Sequence, residues 1–301
     1  HDLSPDRVLR AVESVGLACD GRLLALNSFE NRVYQVGLDD GTFTIAKFYR
    51  PGRWSTAQIR EEHLFAAELA AAELPVVAPW WRNGDTLHEV DGYRVTLYPR
   101  RGGRAPELEG LDVAEWMGRL LARIHLIGAE RPFAHRVALD LEHMLDHPAD
   151  AAIRSGLMPG HLVTHYEDSL DVIADAVERL FDAVDPQLIR LHGDCHPGNV
   201  LWTDDGPHFV DLDDCRTGPA IQDLWMLMTG SEAQREALLK GYETFRPFDR
   251  RELRLVESLK LLRQVHHAGW IAERIDDPAF PRAFPFALEP TWWEVHVNDL
   301  R

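Results

Sequence analysis

Three oxygen-bearing side chains lie at a defined spacing in the second half of the sequence. Asn199 follows Asp194 by five residues, and Asp211 follows Asn199 by twelve, directly after the apolar pair Phe209-Val210. Phosphoryl-transfer centres space their groups in this way: one aspartate accepts the proton of the attacking hydroxyl, while an asparagine and a second aspartate hold Mg²⁺ on the phosphates of ATP. Carboxylate and amide oxygens are also the ligands that Mg²⁺ prefers. The sequence therefore predicts Asp194 and Asp211 as catalytic residues, with Asp194 as the base, and Asn199 and Asp211 as magnesium ligands.

Two other interpretations of this stretch compete with phosphoryl transfer. A single Asp or Asn in a turn usually serves only to shape the turn, but three in register are harder to explain in that way. His192, Asp194 and His196 alternate, and such a set could ligate zinc in a hydrolase. The zinc interpretation leaves Asn199 and Asp211 without a role, so we favour phosphoryl transfer.

A lysine inside an apolar strand points to the same chemistry. Lys47 lies within the strand predicted over 42–49, where a lysine indicates either an exposed edge position or a buried ion pair. The next helix, predicted over 55–73, begins with the capping box Ser55-Thr56-Ala57-Gln58. Helical periodicity places Glu62 on the apolar side of this helix, where a carboxylate needs a partner. We therefore expect Lys47 to pair with Glu62 and to face the α- and β-phosphates of ATP.

The predicted elements divide the chain near residue 98. The first part should contain a helix over 4–16 and about five strands, with hairpin turns at 39–41 and 91–92. Pro99 cannot donate a hydrogen bond to a sheet, so we expect the chain to cross there into a mainly helical region. The predicted strands span 23–38, 42–49, 86–90 and 93–98, and short strands at 188–191, 200–202 and 208–210 frame the Asp194 stretch. The predicted helices after the crossover span 113–127, 166–183, 221–230, 232–242 and 251–275.

Composition argues against several classes of protein. The chain has 301 residues, of which 45% are apolar, and a formal charge of −17. Nucleic acid is an unsuitable partner for such a chain, because phosphate neutralisation needs clustered basic side chains. The apolar runs predict neither a membrane span nor a signal segment, and the three cysteines form no CxxC pair. We therefore expect a cytoplasmic monomer with reduced thiols that binds neither nucleic acid nor a membrane.

Taken together, these residues resemble the protein-kinase-like superfamily, and specifically its aminoglycoside-phosphotransferase branch. Within that branch the chain is most similar to the bacterial stress response kinase A family, a group of serine/threonine protein kinases. The resemblance covers nearly the whole chain. It is carried by Leu26-Asn27-Ser28-Phe29-Glu30-Asn31-Arg32-Val33-Tyr34, Ala46-Lys47-Phe48-Tyr49-Arg50-Pro51, residues 191–202 and 209–214, and Gly218-Pro219-Ala220-Ile221-Gln222-Asp223-Leu224-Trp225.

The resemblance implies an α+β, protein-kinase-like fold of two lobes. Residues 1–98 would form the nucleotide-binding lobe, and residues 99–301 the mainly helical lobe that carries catalysis and substrate binding. The resemblance places Ser28 in the loop over the phosphates, and it makes Asp223 an anchor for the backbone of the catalytic loop. Tyr98, at the predicted crossover, is a further candidate for nucleotide binding.

Several residues stay ambiguous in the sequence alone. Asp213 and Asp214 could be structural or catalytic. His125 is expected to be a core or loop-bracing histidine rather than a catalyst. The segments 265–270 and Trp292-Trp293 could line an acceptor site, but aromatic packing is the favoured interpretation.

The sequence departs from ordinary protein kinases in ways that affect the acceptor. It has no G-x-G-x-x-G loop, its catalytic motif is His192-Gly193-Asp194, and the segment from Asp211 to Asp223 is too short for a long peptide platform. Family resemblance favours Ser/Thr side chains of proteins as acceptors, including those of the protein itself. A small hydroxylated or cationic metabolite is the alternative, because an acid-rich site would attract a cation. A non-catalytic ATP-binding module is a further alternative.

Overall fold

A five-stranded antiparallel sheet forms the N-terminal lobe in the computed structural model, which describes residues 3–228 and 230–300. Its strands are β1 (Cys19–Ala25), β2 (Arg32–Leu38), β3 (Phe43–Phe48), β4 (His88–Val90) and β5 (Tyr93–Pro99). The strand order is β1-β2-β3-β5-β4. Lys47 therefore lies on the central strand, opposite Val33 and Thr96, and not at an edge.

The single strand predicted over 23–38 was wrong, because β1 and β2 replace it with a loop over 26–31 between them. We call residues 26–31 the cleft loop. Its last residue, Asn31, is buried, donates to Asp213 Oδ2 at 3.2 Å and accepts the backbone N–H of Arg50 at 3.1 Å. These tertiary hydrogen bonds of Asn31 hold the end of the loop away from a continuous strand.

Two helices accompany the sheet. The first, α1 (Pro5–Ser14), has the predicted proline in its first turn and buries Val8 against the sheet. The second, α2 (Thr56–Ala71), begins with the predicted capping box: Ser55 Oγ accepts the N–H of Gln58 at 3.2 Å, and the Gln58 side chain accepts the N–H of Ser55 at 2.8 Å. The apolar face of α2 joins the core of the helical lobe, whereas α1 and the sheet form a separate core.

The rest of the chain is mainly helical, as predicted. Its helices are α3 (Leu111–Gly128), α4 (His147–Arg154), α5 (Val163–Val184), α6 (Ile221–Trp225), α7 (Glu232–Glu243), α8 (Val256–Glu273), α9 (Ala279–Ala283) and α10 (Pro290–Asp299). Two antiparallel ribbons, β6 (Leu188–Leu191) with β9 (Arg216–Pro219) and β7 (Val200–Thr203) with β8 (Gly206–Phe209), frame the Asp194 stretch. In residues 3–228 and 230–300, no helix combines the length and the apolar character needed to cross a membrane.

Some helical bounds differ from the sequence prediction. The sequence did not predict α4, α9, α10 or β9. The helix predicted over 221–230 ends at Trp225, where hydrogen bonds three residues apart tighten the chain, and Thr229 lies outside the described residues. The helix predicted over 251–275 begins as the 3₁₀ segment Arg250–Leu255 before α8.

A buried carboxyl group supports the start of α6. Glu252 lies in the 3₁₀ segment before α8, and its Oε2 accepts the backbone N–H of Ile221 at 3.0 Å. Burial raises the pKa of Glu252 to about 7, because the surroundings disfavour the carboxylate. This contact stabilises the start of α6, the helix that also carries Asp223.

Replacing Glu252 with Gln should stabilise the protein at alkaline pH. A carboxyl group whose pKa rises on folding contributes its full stability below the unfolded pKa of 4.5, and that contribution is lost as the pH rises through about 7. Glutamine stays neutral and can still accept the Ile221 hydrogen bond. At pH 8 we expect the free energy of unfolding of the variant to exceed that of the parent by on the order of 2 kcal/mol. Near pH 4.5 the two should agree in a urea titration, and a difference that does not change with pH would contradict the raised pKa.

Candidate active site

One cavity of about 790 Å³ lies between the sheet lobe and the helical lobe. Every residue that the sequence predicted for catalysis, nucleotide binding or metal binding lines this cleft: Ser28, Lys47, Glu62, Tyr98, Asp194, Asn199 and Asp211. The N-terminal lobe supplies the first four, and the loops after β6 and β8 supply the others. Their chemical roles stay predictions, but their convergence makes this cleft the candidate active site.

Lys47 is a buried cation within the cleft. Its ammonium lies 2.9 Å from Asp213 Oδ1, 3.1 Å from Asp211 Oδ1 and 3.9 Å from Glu62 Oε1, and its side chain is 7% exposed. Burial alone would lower the pKa of Lys47, but Asp213, Asp211 and Glu62 raise it well above the usual value. The predicted pair with Glu62 forms, although Glu62 is the most distant of the three carboxylates.

Glu62 and Asp213 have opposite net pKa shifts, although Lys47 lowers the pKa of both carboxyl groups. Burial raises the pKa of Glu62 to about 7 against the attraction of Lys47, and Glu62 Oε2 has no hydrogen-bond partner among the described residues. Burial also acts on Asp213, but Lys47 and Arg53 outweigh it and lower the pKa of Asp213 to about 2. Asp213 is therefore the carboxyl group that stays ionised beside Lys47. Sequence reasoning missed this contact, because the pattern left Asp213 undecided between structure and catalysis.

Arg53 is a further site residue that sequence reasoning missed. Its Nη1 contacts Asp213 Oδ2, its Nη2 lies 2.7 Å from Asp214 Oδ1, and its Nε lies 3.6 Å from Glu30 Oε1. Burial alone would lower the pKa of Arg53, but Asp214, Asp213 and Glu30 raise it. Arg53 thereby joins the segment after Asp211 to the cleft loop.

The loops after β6 and β8 present the candidate base and metal ligands to the cleft. Asn199 Nδ2 donates to the carbonyl oxygen of Asp194 at 2.9 Å and lies 3.4 Å from Asp194 Oδ2. Asp211 has a left-handed backbone conformation (φ 58°, ψ 63°), and its side chain is 54% exposed. The N–H of Val210 donates to the carbonyl oxygen of Asn199 at 3.0 Å, which holds the two segments together. With its amide nitrogen engaged, Asn199 can turn its Oδ1 to the cleft, and this oxygen with the Asp211 carboxylate fits a hard divalent cation.

Asp223 holds the backbone of the loop after β6, which carries the candidate base, as the resemblance implied. Its Oδ1 accepts the N–H of Gly193 at 2.8 Å, and its Oδ2 accepts the N–H of His192 at 2.9 Å. His125 Nε2 lies 3.0 Å from the same Oδ2, which confirms the expected loop-bracing role of this buried histidine. Gly193 has φ 86°, and a Cβ atom there would lie 2.1 Å from the carbonyl oxygen of Asp214. This close approach explains why glycine occupies the middle of the motif.

The side-chain positions do not support the zinc interpretation. His192 is buried and its Nε2 donates to the carbonyl oxygen of Val210 at 2.9 Å. His196 Nδ1 accepts the N–H of Gly198 at 3.0 Å. Across residues 3–228 and 230–300, no three His, Cys, Asp or Glu side chains are grouped so that they could hold a metal ion.

Ion pairs join the cleft loop to the helical lobe at the end of α8. Glu30 accepts a hydrogen bond from Trp270 Nε1 at 2.5 Å, and its carboxylate lies 2.9 Å from Arg274 Nε. Asp277, which follows α8, lies 2.9 Å from Arg50 Nη2. These contacts tie the cleft loop and the end of β3 to the helical lobe, a link that no sequence motif predicted.

The same helix, α8, forms one wall of the cleft. Its Arg263, His266, His267 and Trp270 line the cavity. His267 and Trp270 also pack against Phe284, so the packing interpretation holds for 265–270 although these residues face the cleft as well. Trp293 of α10 is fully buried in the core, which confirms that interpretation for the second aromatic segment.

The cleft is electrically balanced, and the expectation of an acid-rich site was wrong. Its lining carries equal numbers of acidic and basic side chains: Glu30, Glu62, Asp194, Asp211 and Asp214 against Lys47, Arg53, Arg101, Arg216 and Arg263. The net charge of the chain did not predict this balance, because charge counts carry no information about which side chains meet.

Comparisons with known proteins agree with this geometry. Residues 22–256 match the phosphotransferase enzyme family. Stress response kinase A of Salmonella choleraesuis is 42% identical to this chain over 296 residues, which cover 97% of this chain and 90% of the relative. The serine/threonine protein kinase RdoA of Salmonella typhimurium shows the same identity and coverage.

A solved structure shares the fold at low sequence identity. Amicoumacin kinase hAmiN, in complex with AMP-PNP, Ca²⁺ and Ami, has a TM-score of 0.73 and 16% identity, and the alignment covers 98% of this chain and 94% of that chain. This likeness confirms the predicted α+β, protein-kinase-like fold of two lobes. Because the sequence identity to the curated relatives extends over nearly the whole chain, the protein is a kinase that belongs to the phosphotransferase enzyme family and, within it, to the stress response kinase A family.

Proposed function

We propose that the protein transfers the γ-phosphoryl group of ATP to Ser or Thr hydroxyls of proteins, including its own, with Mg²⁺ as the metal. The convergence of Lys47, Asp194, Asn199 and Asp211 on one cleft carries this proposal. A relative at 42% identity is named as a serine/threonine protein kinase, and the structural neighbour hAmiN was solved with an ATP analogue and a divalent cation. We place the nucleotide between a lobe of residues 1–98 and a lobe of residues 99–301.

Lys47 and the two metal ligands are proposed to hold the triphosphate. The ammonium of Lys47 is charged and directed between carboxylates, so it can donate to the α- and β-phosphates once they enter the cleft. Asn199 and Asp211 would hold Mg²⁺, which supplies positive charge to the phosphate oxygens when bound. Glu62 would keep Lys47 oriented from α2, while Ser28 and Tyr98 would contact the nucleotide from the cleft loop and from β5.

Asp194 is proposed to act as the base. Its backbone follows a loop that Asp223 fixes, and its carbonyl oxygen accepts a hydrogen bond from Asn199, so the carboxylate has a defined direction. The side chain is 24% exposed, which lets an acceptor hydroxyl reach it. The hydroxyl would pass its proton to Asp194 as its oxygen bonds the γ-phosphorus and the bond to ADP breaks.

Two observations favour different classes of phosphate acceptor. Residues 212–219 fold back as the 3₁₀ segment Leu212–Asp214 and β9, which pairs with β6 and leaves no long platform for a peptide. This feature favours a small hydroxylated molecule. The curated relatives cover nearly the whole chain and include a protein kinase, and we give this similarity more weight.

Replacing Asp194 with Asn should lower kcat by about two to four orders of magnitude, because the amide keeps the size of the side chain but cannot accept the proton. Nucleotide affinity should remain nearly unchanged. Single-turnover transfer and the binding of a fluorescent ATP analogue would separate the two effects. Near-normal turnover in the variant would remove Asp194 from the role of base.

Replacing Asp211 with Ala should weaken nucleotide binding in the presence of Mg²⁺, because it removes a charged metal ligand. Calorimetric titration with AMP-PNP at several Mg²⁺ concentrations would measure the loss. Asp205→Ala is the matched control, since it removes an exposed carboxylate from the nearby β7–β8 turn that does not line the cleft. Equal affinity and equal magnesium dependence in the Asp211 variant and the parent would make Asp211 a structural residue.

The acceptor class can be tested with labelled ATP. The protein would be offered an acidic protein such as dephosphorylated casein, a basic protein such as histone, and a panel of aminoglycosides and hydroxylated amines, with Asp194→Asn as the blank. We expect label in Ser or Thr of at least one protein and in the kinase itself. Label confined to the small-molecule fraction would contradict the protein-kinase assignment and leave the phosphotransferase assignment intact.

A further inference from the structure

Arg263 contacts the candidate base directly from the wall opposite the nucleotide-binding lobe. It lies on α8, and its Nη1 is 2.6 Å from Asp194 Oδ1. The side chain is 42% exposed, so the guanidinium is accessible from the cleft that it lines. Among residues 3–228 and 230–300, Asp194 is the one carboxylate within ion-pair distance of Arg263.

The bonding of Arg263 differs from that of two other arginines that line the cleft, Arg53 and Arg216. All three guanidinium nitrogens of Arg53 meet carboxylates. All three nitrogens of Arg216 also have partners, namely the carbonyl oxygen and Oδ1 of Asp214 and the Sδ of Met144. Arg263 uses only Nη1, so its Nε–Nη2 edge has no partner in the described part of the chain.

The neighbours of Arg263 on α8 do not supply a competing charge. Burial lowers the pKa of His266 to about 3, and it also lowers the pKa of His267. Trp270 stacks on His267 with the ring centroids 5.9 Å apart. Arg263 thus supplies the positive charge on the α8 wall of the cleft. Its Nη1 contacts the candidate base Asp194, and its Nε–Nη2 edge is open to solvent.

We propose that Arg263 recognises a carboxylate of the acceptor and so directs phosphorylation to Ser or Thr residues with acidic neighbours in the protein substrate. The inference rests on the proposed protein-kinase function. The Nε–Nη2 edge presents two parallel N–H groups, the arrangement that binds a carboxylate in a bidentate manner. Because Nη1 stays on Asp194, a carboxylate on this edge places the nearby hydroxyl of the same peptide beside the base.

Three peptides that differ only in the residues flanking a single Ser would test this recognition. The flanking positions, three on each side, would hold Glu, Gln or Lys, and kcat/KM would be measured for each. The parent protein should prefer the Glu peptide over the Gln peptide by about 10- to 100-fold, the scale of a charge-assisted bidentate contact. Arg263→Gln should bring this ratio close to one, and Arg263→Glu should turn the preference toward the Lys peptide. Lys260→Gln should keep the parent's ratio, because it removes a cation from the same helix that does not line the cleft.

The outcomes separate this inference from the function on which it rests. Equal use of the three peptides by the parent protein would overturn the recognition role. A uniform loss of kcat for all peptides in Arg263→Gln, with an unchanged Glu-to-Gln ratio, would also overturn it and assign Arg263 to the chemical step. Label in whole proteins but in none of the peptides would overturn the inference alone, whereas label in no protein and no peptide would overturn the protein-kinase function as well.

Discussion

The burial of the Lys47 ammonium is the constraint on which the rest of the cleft depends. Lys47 lies on the central strand of the sheet and is almost entirely buried, so its charge has to be matched by carboxylates. Those carboxylates come from α2 and from the segment that follows β8. Breaking a buried ion pair by removing one partner typically costs about 3–5 kcal/mol. The sheet, α2 and the segment after β8 therefore keep their relative positions while Lys47 is charged.

A series of ion pairs extends this constraint across the cleft. Asp213 meets both Lys47 and Arg53, Arg53 reaches Glu30 of the cleft loop, and Glu30 is bonded to the end of α8. The same helix contacts the candidate base through Arg263. The pairs of Asp213, Arg53 and Glu30 are largely buried, so salt screens them less than surface pairs. Charge pairing thus links β3, the cleft loop and α8 around the cleft.

Short sequence motifs predicted those parts of the structure whose geometry is set by a few neighbouring residues. The capping box at Ser55 and the hairpin turns near Gly41 and Gly92 formed as expected, because turn and cap geometry is set by a few neighbouring residues. Helical periodicity placed Glu62 inside, and the lysine within the apolar strand, Lys47, was its predicted partner. The spacing of Asp194, Asn199 and Asp211 picked out three side chains that line one cleft, as expected for the proposed base and metal ligands.

The rest could not be predicted, because it depends on which distant side chains meet. Arg263 sits on a helix that carries no recognisable motif, and only the packing of α8 brings it to Asp194, 69 positions away in sequence. The sequence did not distinguish Asp213 from its neighbour Asp214, and only the fold shows that Asp213 pairs with Lys47. The cleft loop was predicted as part of the strand over 23–38, because the local sequence does not reveal the tertiary hydrogen bonds of Asn31 that interrupt the strand.

The most direct test of the central claim is to locate the metal in a nucleotide complex. Crystals grown with AMP-PNP and Mn²⁺ would be measured at a wavelength where manganese scatters anomalously. The structure predicts an anomalous peak about 2.0–2.3 Å from Asn199 Oδ1 and from the Asp211 carboxylate, with the α- and β-phosphates beside Lys47. A bound nucleotide whose metal contacts neither side chain, or a peak on His192 or His196 instead, would contradict the assignment of this cleft as a kinase active site.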